Sequence, residues 1–169
     1  MLAKITSATV IGVTGHPVHV EVHVATGLPM FSIVGLPDAS CREARDRVRA
    51  AVNSSEFKWP ACRVTVNLAP TSLRKVGSGL DLAIAVGFLV ATEQLPSRLA
   101  VDRTFLGELG LDGKVRSVPG VLPALDALED ARPIVATTDL VEARLVRPGA
   151  QGASTLAGLV GSLRGSGPW

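Results

Sequence analysis

At 169 residues the chain is long enough for one domain with a buried core and too short for two of ordinary size. Its 17 Lys+Arg against 15 Asp+Glu leave a net charge of +2, which excludes nucleic-acid binding by bulk charge, although 13 of the cations are arginine, the side chain suited to phosphate and carboxylate forks. A hydrophobic fraction of 47%, a charged fraction of 19% and a mean hydropathy of +0.35 exclude a disordered chain, and the absence of tyrosine argues against an aromatic platform for stacking bases.

Ala3 to Gly12 reads as a first strand, and Val18, Val20, Val22 and Val24 alternate with His19, Glu21 and His23 in a half-buried second one, with Gly15-His16-Pro17 as the turn. Phe31 to Val34 is a third strand between Gly27-Leu28-Pro29 and Gly35-Leu36-Pro37, so a meander is expected. Asp38 is a candidate N-cap for a helix that buries Cys41, Ala44, Val48, Ala51 and Val52 and turns Arg42, Asp46 and Arg49 outward. Cys62 to Leu68 is a further strand, and a polar loop from Ala69 to Gly79 leads into Leu80 to Val90, apolar all the way round and therefore a covered helix. Ser78 and Asp81 have capping-box spacing at its start.

Thr104 to Leu109 and Lys114 to Val118 predict two strands joined by a hairpin turn at Asp112-Gly113. A helix from Pro123 to Leu128, a strand from Ile134 to Ala136 and a short helix through Arg144, capped by Thr138-Asp139, follow. Leu156, Leu159, Val160 and Leu163 form the apolar stripe of a last helix, after which Arg164 to Trp169 has linker composition. The mixed order of strands and helices predicts an α+β or α/β fold.

Cys41 and Cys62 have neither metal-ligand nor disulfide-framework spacing, and the longest apolar run, Leu82 to Ala91, is too short to span a bilayer. A cytoplasmic protein with no membrane partner is expected. Arg74, Lys75 and the glycines at 77 and 79 offer an anion cradle before a helix, yet the G-x-x-x-x-G-K-[ST] order of a phosphate loop is absent. Ser78 has two competing roles, helix cap or nucleophile activated by Lys75 or Lys114. His19, Glu21 and His23 share a strand face, where a divalent cation is one reading and a polar solvent face the other, since same-face neighbours stand ~7 Å apart. Arg42, Arg45 and Arg49 lie in one arc of the first helix, either as contacts to phosphate or an acidic partner, or paired along the helix as Arg42 with Asp46 and Glu43 with Arg47.

Five blocks in order, FSIVGLPD at Phe31–Asp38, REARDRVRAA at Arg42–Ala51, VTVNLAP at Val64–Pro70, DLAIA at Asp81–Ala85 and LGELGLDG at Leu106–Gly113, closely resemble the N-terminal domain of the ComM/YifB family of magnesium-chelatase-like AAA+ ATPases. The resemblance runs from Met1 to Leu163. It implies a Lon-protease-like α+β domain of the ribosomal S5 domain 2-like superfamily at 1–163, with 164–169 beginning a linker to a ChlI-like AAA+ module. It implies a hexameric parent that binds DNA and uses ATP and Mg, held in that further module, for branch migration during natural transformation. Laid on the Lon-type dyad, Gly79 falls at the nucleophile and Leu122 at the lysine, and neither can perform acid–base chemistry. The domain is thus expected to be non-enzymatic and without a cofactor or metal of its own, serving ring assembly, DNA or partner contact through Arg42, Arg45, Arg49, Arg74 and Lys75. A Ser-Lys peptidase with Ser78 as a shifted nucleophile and a metal-handling module are the alternatives.

Overall fold

The computed structural model describes residues 1–129 and 132–169. Among these residues, nine strands and five α-helices make a seven-stranded mixed sheet, a separate two-stranded ribbon, and helices on both faces. The sheet runs β3 (Met30–Val34), β4 (Arg63–Ala69), β2 (Thr14–Ala25), β1 (Leu2–Ile11), β5 (Arg103–Phe105), β8 (Arg132–Ala136) and β9 (Gln151–Ala153). Only β2 runs against the others: it pairs antiparallel with β1 and β4, whereas β3/β4, β1/β5, β5/β8 and β8/β9 are parallel.

The expected meander does not form. β3 pairs with β4, not β2, because α1 (Ala39–Ser54) carries the chain back to a parallel neighbour and the seven-residue β4 takes the place beside β2. The single run expected from Thr104 to Leu109 also divides. Its first part is β5 in the main sheet, and its second, β6 (Glu108–Leu109), pairs with β7 (Val115–Arg116) across a turn where Gly113 has φ 81°.

Period-two burial explains which face meets which helix. Val18, Val20 and Val22 of β2, Ala3 and Ile5 of β1, Val64, Val66 and Leu68 of β4 and Ile33 of β3 point to one side, under α1, α2 (Asp81–Ala91) and α5 (Leu156–Leu163). Every residue of α2 is buried, as the unbroken apolar run that follows Asp81 requires. The helix presses so closely on the sheet that a Cβ at Gly87 would stand 2.6 Å from Val22 Cγ2. On the other side α3 (Val121–Asp126) and α4 (Leu140–Val146) cover Ala8, Val10 and Val135. α3 also packs on the start of β2 at Gly15, and the β3–β4 end of that face is left bare together with the far end of β2, with Met30, Val34, Arg63 and His23 exposed.

Two expected caps are formed differently. α2 begins after Leu80 without a side-chain cap, because the Ser78 hydroxyl donates to Glu108 Oε2 and leaves the helix start to the ribbon. At α4 the Asp139 carboxylate caps nothing, since it accepts from Ser117 Oγ and from Val118 N–H at 3.3 Å, tying β7 to the helix entry. Asp38 and Thr155 do cap α1 and α5, accepting from Cys41 N–H at 2.7 Å and Gly158 N–H at 3.0 Å.

Candidate functional site

The α1 helix and the loops around its start gather the cations that the sequence singled out. Asp38 anchors this region with both oxygens, one accepting from Cys41 N–H and the other from Gly77 N–H at 3.0 Å, so the helix start and the loop before α2 are fastened together. Backbone bonds between Lys75 and Leu36 (3.0 Å) and between Asp38 and Lys75 (2.9 Å) continue the seam.

Lys75 is no surface contact. It is 0% exposed, and its ammonium donates inward to Gly35 O at 2.9 Å and to Pro70 O. Loss of hydration pushes its pKa below the ordinary lysine value. Its chemistry is that of a clamp between two loops, because its ammonium satisfies one carbonyl in the loop after β3 and one in its own loop before α2.

The four arginines divide between two places. Arg42 and Arg74 line a shallow cavity of about 270 Å³ with Leu36, Pro37 and Asp38. Leu36 there holds φ 56°, a left-handed conformation that a bulky side chain rarely takes, and it is 54% exposed. Arg45 and Arg49 instead line a groove of about 470 Å³ with Asp46, Pro29, Met30, Phe31 and the segment Trp59–Cys62. The Arg49 guanidinium lies 5.9 Å from the Trp59 ring centre, and Trp59 stacks at 3.9 Å on Phe88 of α2 and meets Phe31 in a tilted contact at 5.1 Å.

Arg47, on the same helix, faces inward. Its Nε and Nη2 donate to Asp81 Oδ2 and Oδ1 at 2.6 and 3.0 Å, and Nη2 also reaches Ser40 O at 2.8 Å. Leu109 N–H adds a bond to Asp81 at 3.2 Å. Burial pushes the Asp81 carboxyl up to about 6, and the Arg47 bonds hold it from rising further. The expected Glu43–Arg47 pair is present at 3.6 Å. Arg42 and Asp46 are not paired among the described residues, because the Arg42 guanidinium turns to Pro37 O at 3.0 Å.

A second cavity, of about 250 Å³, opens at the head of α2 between Ser78, Gly79, Pro119 and Gly120. Its wall joins parts of the 75–81 and 119–122 segments, but Leu122 itself is not in it. A Cβ at Gly79 would come within 3.3 Å of Leu106 Cδ1. Ser78 receives no bond from either proposed lysine: Lys75 is committed to carbonyls and Lys114 pairs with Asp112 at 3.3 Å. Its partner is Glu108, itself 3.9 Å from Arg116.

His19, Glu21 and His23 do share one face of β2, where His23 is exposed, Glu21 accepts from Asn67 at 2.8 Å and the His19 Nδ1 is buried. Among the described residues, no group of three His, Cys, Asp or Glu side chains is placed to hold a metal ion. No helix among them is long and apolar enough to cross a membrane.

Sequence reasoning missed Trp59 and the Arg47–Asp81 pair. The pair joins residues 34 apart, and nothing local to either announces it. A lone tryptophan between Lys58 and Pro60 was the available signal for the groove.

The family model of subunit ChlI of Mg-chelatase matches residues 20–137, a span that holds α1, the Lys75 clamp, α2 and the ribbon. The competence protein ComM of Haemophilus influenzae is 44% identical over 86% of this chain and 29% of its own length. YifB of Escherichia coli, an uncharacterized protein, is 41% identical over 82% of the chain and 28% of its own length. An uncharacterized protein of Mycobacterium tuberculosis is 44% identical over 98% of the chain and 34% of its length. The chain therefore spans about a third of the length of these relatives, and it belongs to the magnesium-chelatase-like family that includes ComM and YifB.

Proposed function

We propose that this chain is a non-catalytic domain of a ComM/YifB-type AAA+ ATPase, Lon-protease-like and of the ribosomal S5 domain 2-like class, that serves ring assembly and contact with DNA or a partner. The observation that carries the reading is the 44% identity to a competence protein over most of the chain. In the whole protein, a cytoplasmic homo-hexamer, ATP and Mg bind in an AAA+ module outside these residues, and hydrolysis drives branch migration during recombination in natural transformation. The crowding of a side chain at Gly79 by Leu106, the absence of Leu122 from the cavity wall and the commitment of Ser78 to Glu108 support a domain that does no peptide chemistry.

Arg42, Arg45, Arg49 and Arg74 are the contact residues in this reading, and Lys75 supports them from beneath. The test is charge reversal of these four arginines to Glu in the full-length protein, with DNA affinity measured across a salt series. Each lost phosphate contact lowers the slope of log K against log salt by about 0.9. A fall of one to three units is expected; an unchanged affinity and slope removes DNA as the ligand of this face.

A further inference from the structure

β3 ends the sheet, and among the described residues no strand pairs with its outer rim. Met30 N–H donates inward to Cys62 O at 3.3 Å, so the amides of Met30, Ser32 and Val34 face β4 while those of Phe31 and Ile33 face outward. Such rims template the addition of another strand, and proteins usually blunt them with charge, proline or extreme shortness. This rim is short and follows Pro29, but it carries no charge and its neighbouring side chains are apolar: Leu28 is 80% exposed, Met30 53%, Val34 46% and Leu36 54%. The opposite rim, β9, is three residues of Gln151, Gly152 and Ala153 and offers no such surface.

The Arg45–Arg49–Trp59 groove runs beside this rim on its helix-covered side. Among the described residues neither arginine is in an ion pair, and Asp46 is the only carboxylate in the groove wall. A strand laid on the rim sends alternate side chains into the groove and onto the bare face. Arginines four apart on a helix are offset by about 6 Å along its axis, close to the ~6.8 Å between same-face residues of a strand.

We propose that the β3 rim and this groove bind an extended acidic segment of a partner protein by strand addition, with Asp or Glu side chains toward Arg45 and Arg49 and alternate apolar ones beside Met30 and Val34. The proposal rests on the reading of the arginine face of α1 as a contact surface, and it assigns Arg45 and Arg49 to protein while leaving Arg42 and Arg74 to phosphate. A second copy of this chain fits poorly, since β3 itself, Met-Phe-Ser-Ile-Val, brings no carboxylate to the groove. A single-stranded nucleic acid would meet the arginines but leave the outward amides of Phe31 and Ile33 without strand partners.

The test is fluorescence anisotropy of the 169-residue chain with a labelled nine-residue peptide of alternating Val and Glu. Saturable binding is expected. It weakens more than tenfold with Arg45→Glu/Arg49→Glu and when the rim-facing peptide amides are N-methylated, and it is unchanged by Arg42→Glu/Arg74→Glu, with circular dichroism confirming that each variant is folded. No binding, equal binding of the N-methylated peptide, or displacement by oligothymidylate through the same two arginines overturns the proposal. A concentration-dependent dimer abolished by Met30→Lys overturns it in favour of self-pairing. Peptide binding retained while the full-length protein shows no salt-slope change removes only the DNA reading; the reverse removes only this site.

Discussion

Arg47→Met tests whether the buried ion pair holds the centre of the molecule. The substitution keeps most of the side-chain stem and removes two charge-assisted bonds from Asp81, whose side chain is 1% exposed. Breaking such a pair from one side costs about 3–5 kcal/mol, since the remaining charge is stranded. Protonation limits the damage, and this makes the cost depend on pH. A carboxyl whose folded pKa is raised contributes stability as pH falls through the folded value, until the unfolded chain also protonates near its own value of ~4. The wild-type carboxyl, at about 6, contributes on the order of 1 kcal/mol of added stability between pH 7.5 and 5. Without Arg47 the same burial raises the carboxyl further, so the variant gains more on acidification than the wild type does. The destabilisation read from urea unfolding should therefore shrink on acidification from pH 7.5 to 5, and Asp81→Asn should recover part of it at pH 7.5. Equal destabilisation at both pH values, or a loss under about 1 kcal/mol at pH 7.5, would refute the reasoning.

Other outcomes follow from single positions. Gly35→Ala meets both a φ of 98° and a contact of 2.3 Å to Leu68 O, so a loss of more than about 3 kcal/mol is expected in thermal or urea unfolding. Burial pushes the Cys41 thiol up to about 12 with 1% of the residue exposed, so iodoacetamide at pH 8 should leave it unmodified in the folded chain while labelling it in urea, as read by peptide mass spectrometry. Because the folded Lys75 ammonium loses its proton more readily than the unfolded one, this group adds stability as pH rises toward the unfolded value of about 10.4. Lys75→Met should abolish that alkaline gain and cost about 1–3 kcal/mol for each carbonyl it leaves unpaired, measured by urea unfolding at pH 7.5 and pH 10.

What could be read from sequence was what periodicity and local chemistry determine. The alternating valines of β2, the continuous apolar run of α2 and the caps at Asp38 and Thr155 depend on neighbours within a turn or two, and the first three of these were foreseen. Pairing order was not, because β3 has the same composition whether it lies beside β2 or beside β4. Ser78 and Asp139 have cap-forming side chains but found distant partners in Glu108 and Ser117, where tertiary contacts outweigh local preference. The same limit governs the candidate site. An exposed arc of Arg42, Arg45 and Arg49 is helix arithmetic, while the burial of Lys75 is set by carbonyls at Gly35 and Pro70, one of them forty residues away. Only the fold could tell a surface cation from a clamp.

The central place of β1 has a consequence for synthesis. Its first partner, β2, follows after a short turn, but its other edge pairs with β5, and Ser7 donates to Phe105 O across 98 residues. At ribosomal rates of about 5–20 residues per second, that edge stays open for roughly 5–20 s after β1 has left the tunnel. The strand that ends at the middle of the sheet thus spends the assembly of the molecule as an exposed margin, and nascent chains that stall before residue 103 should be the ones that aggregate or recruit chaperones.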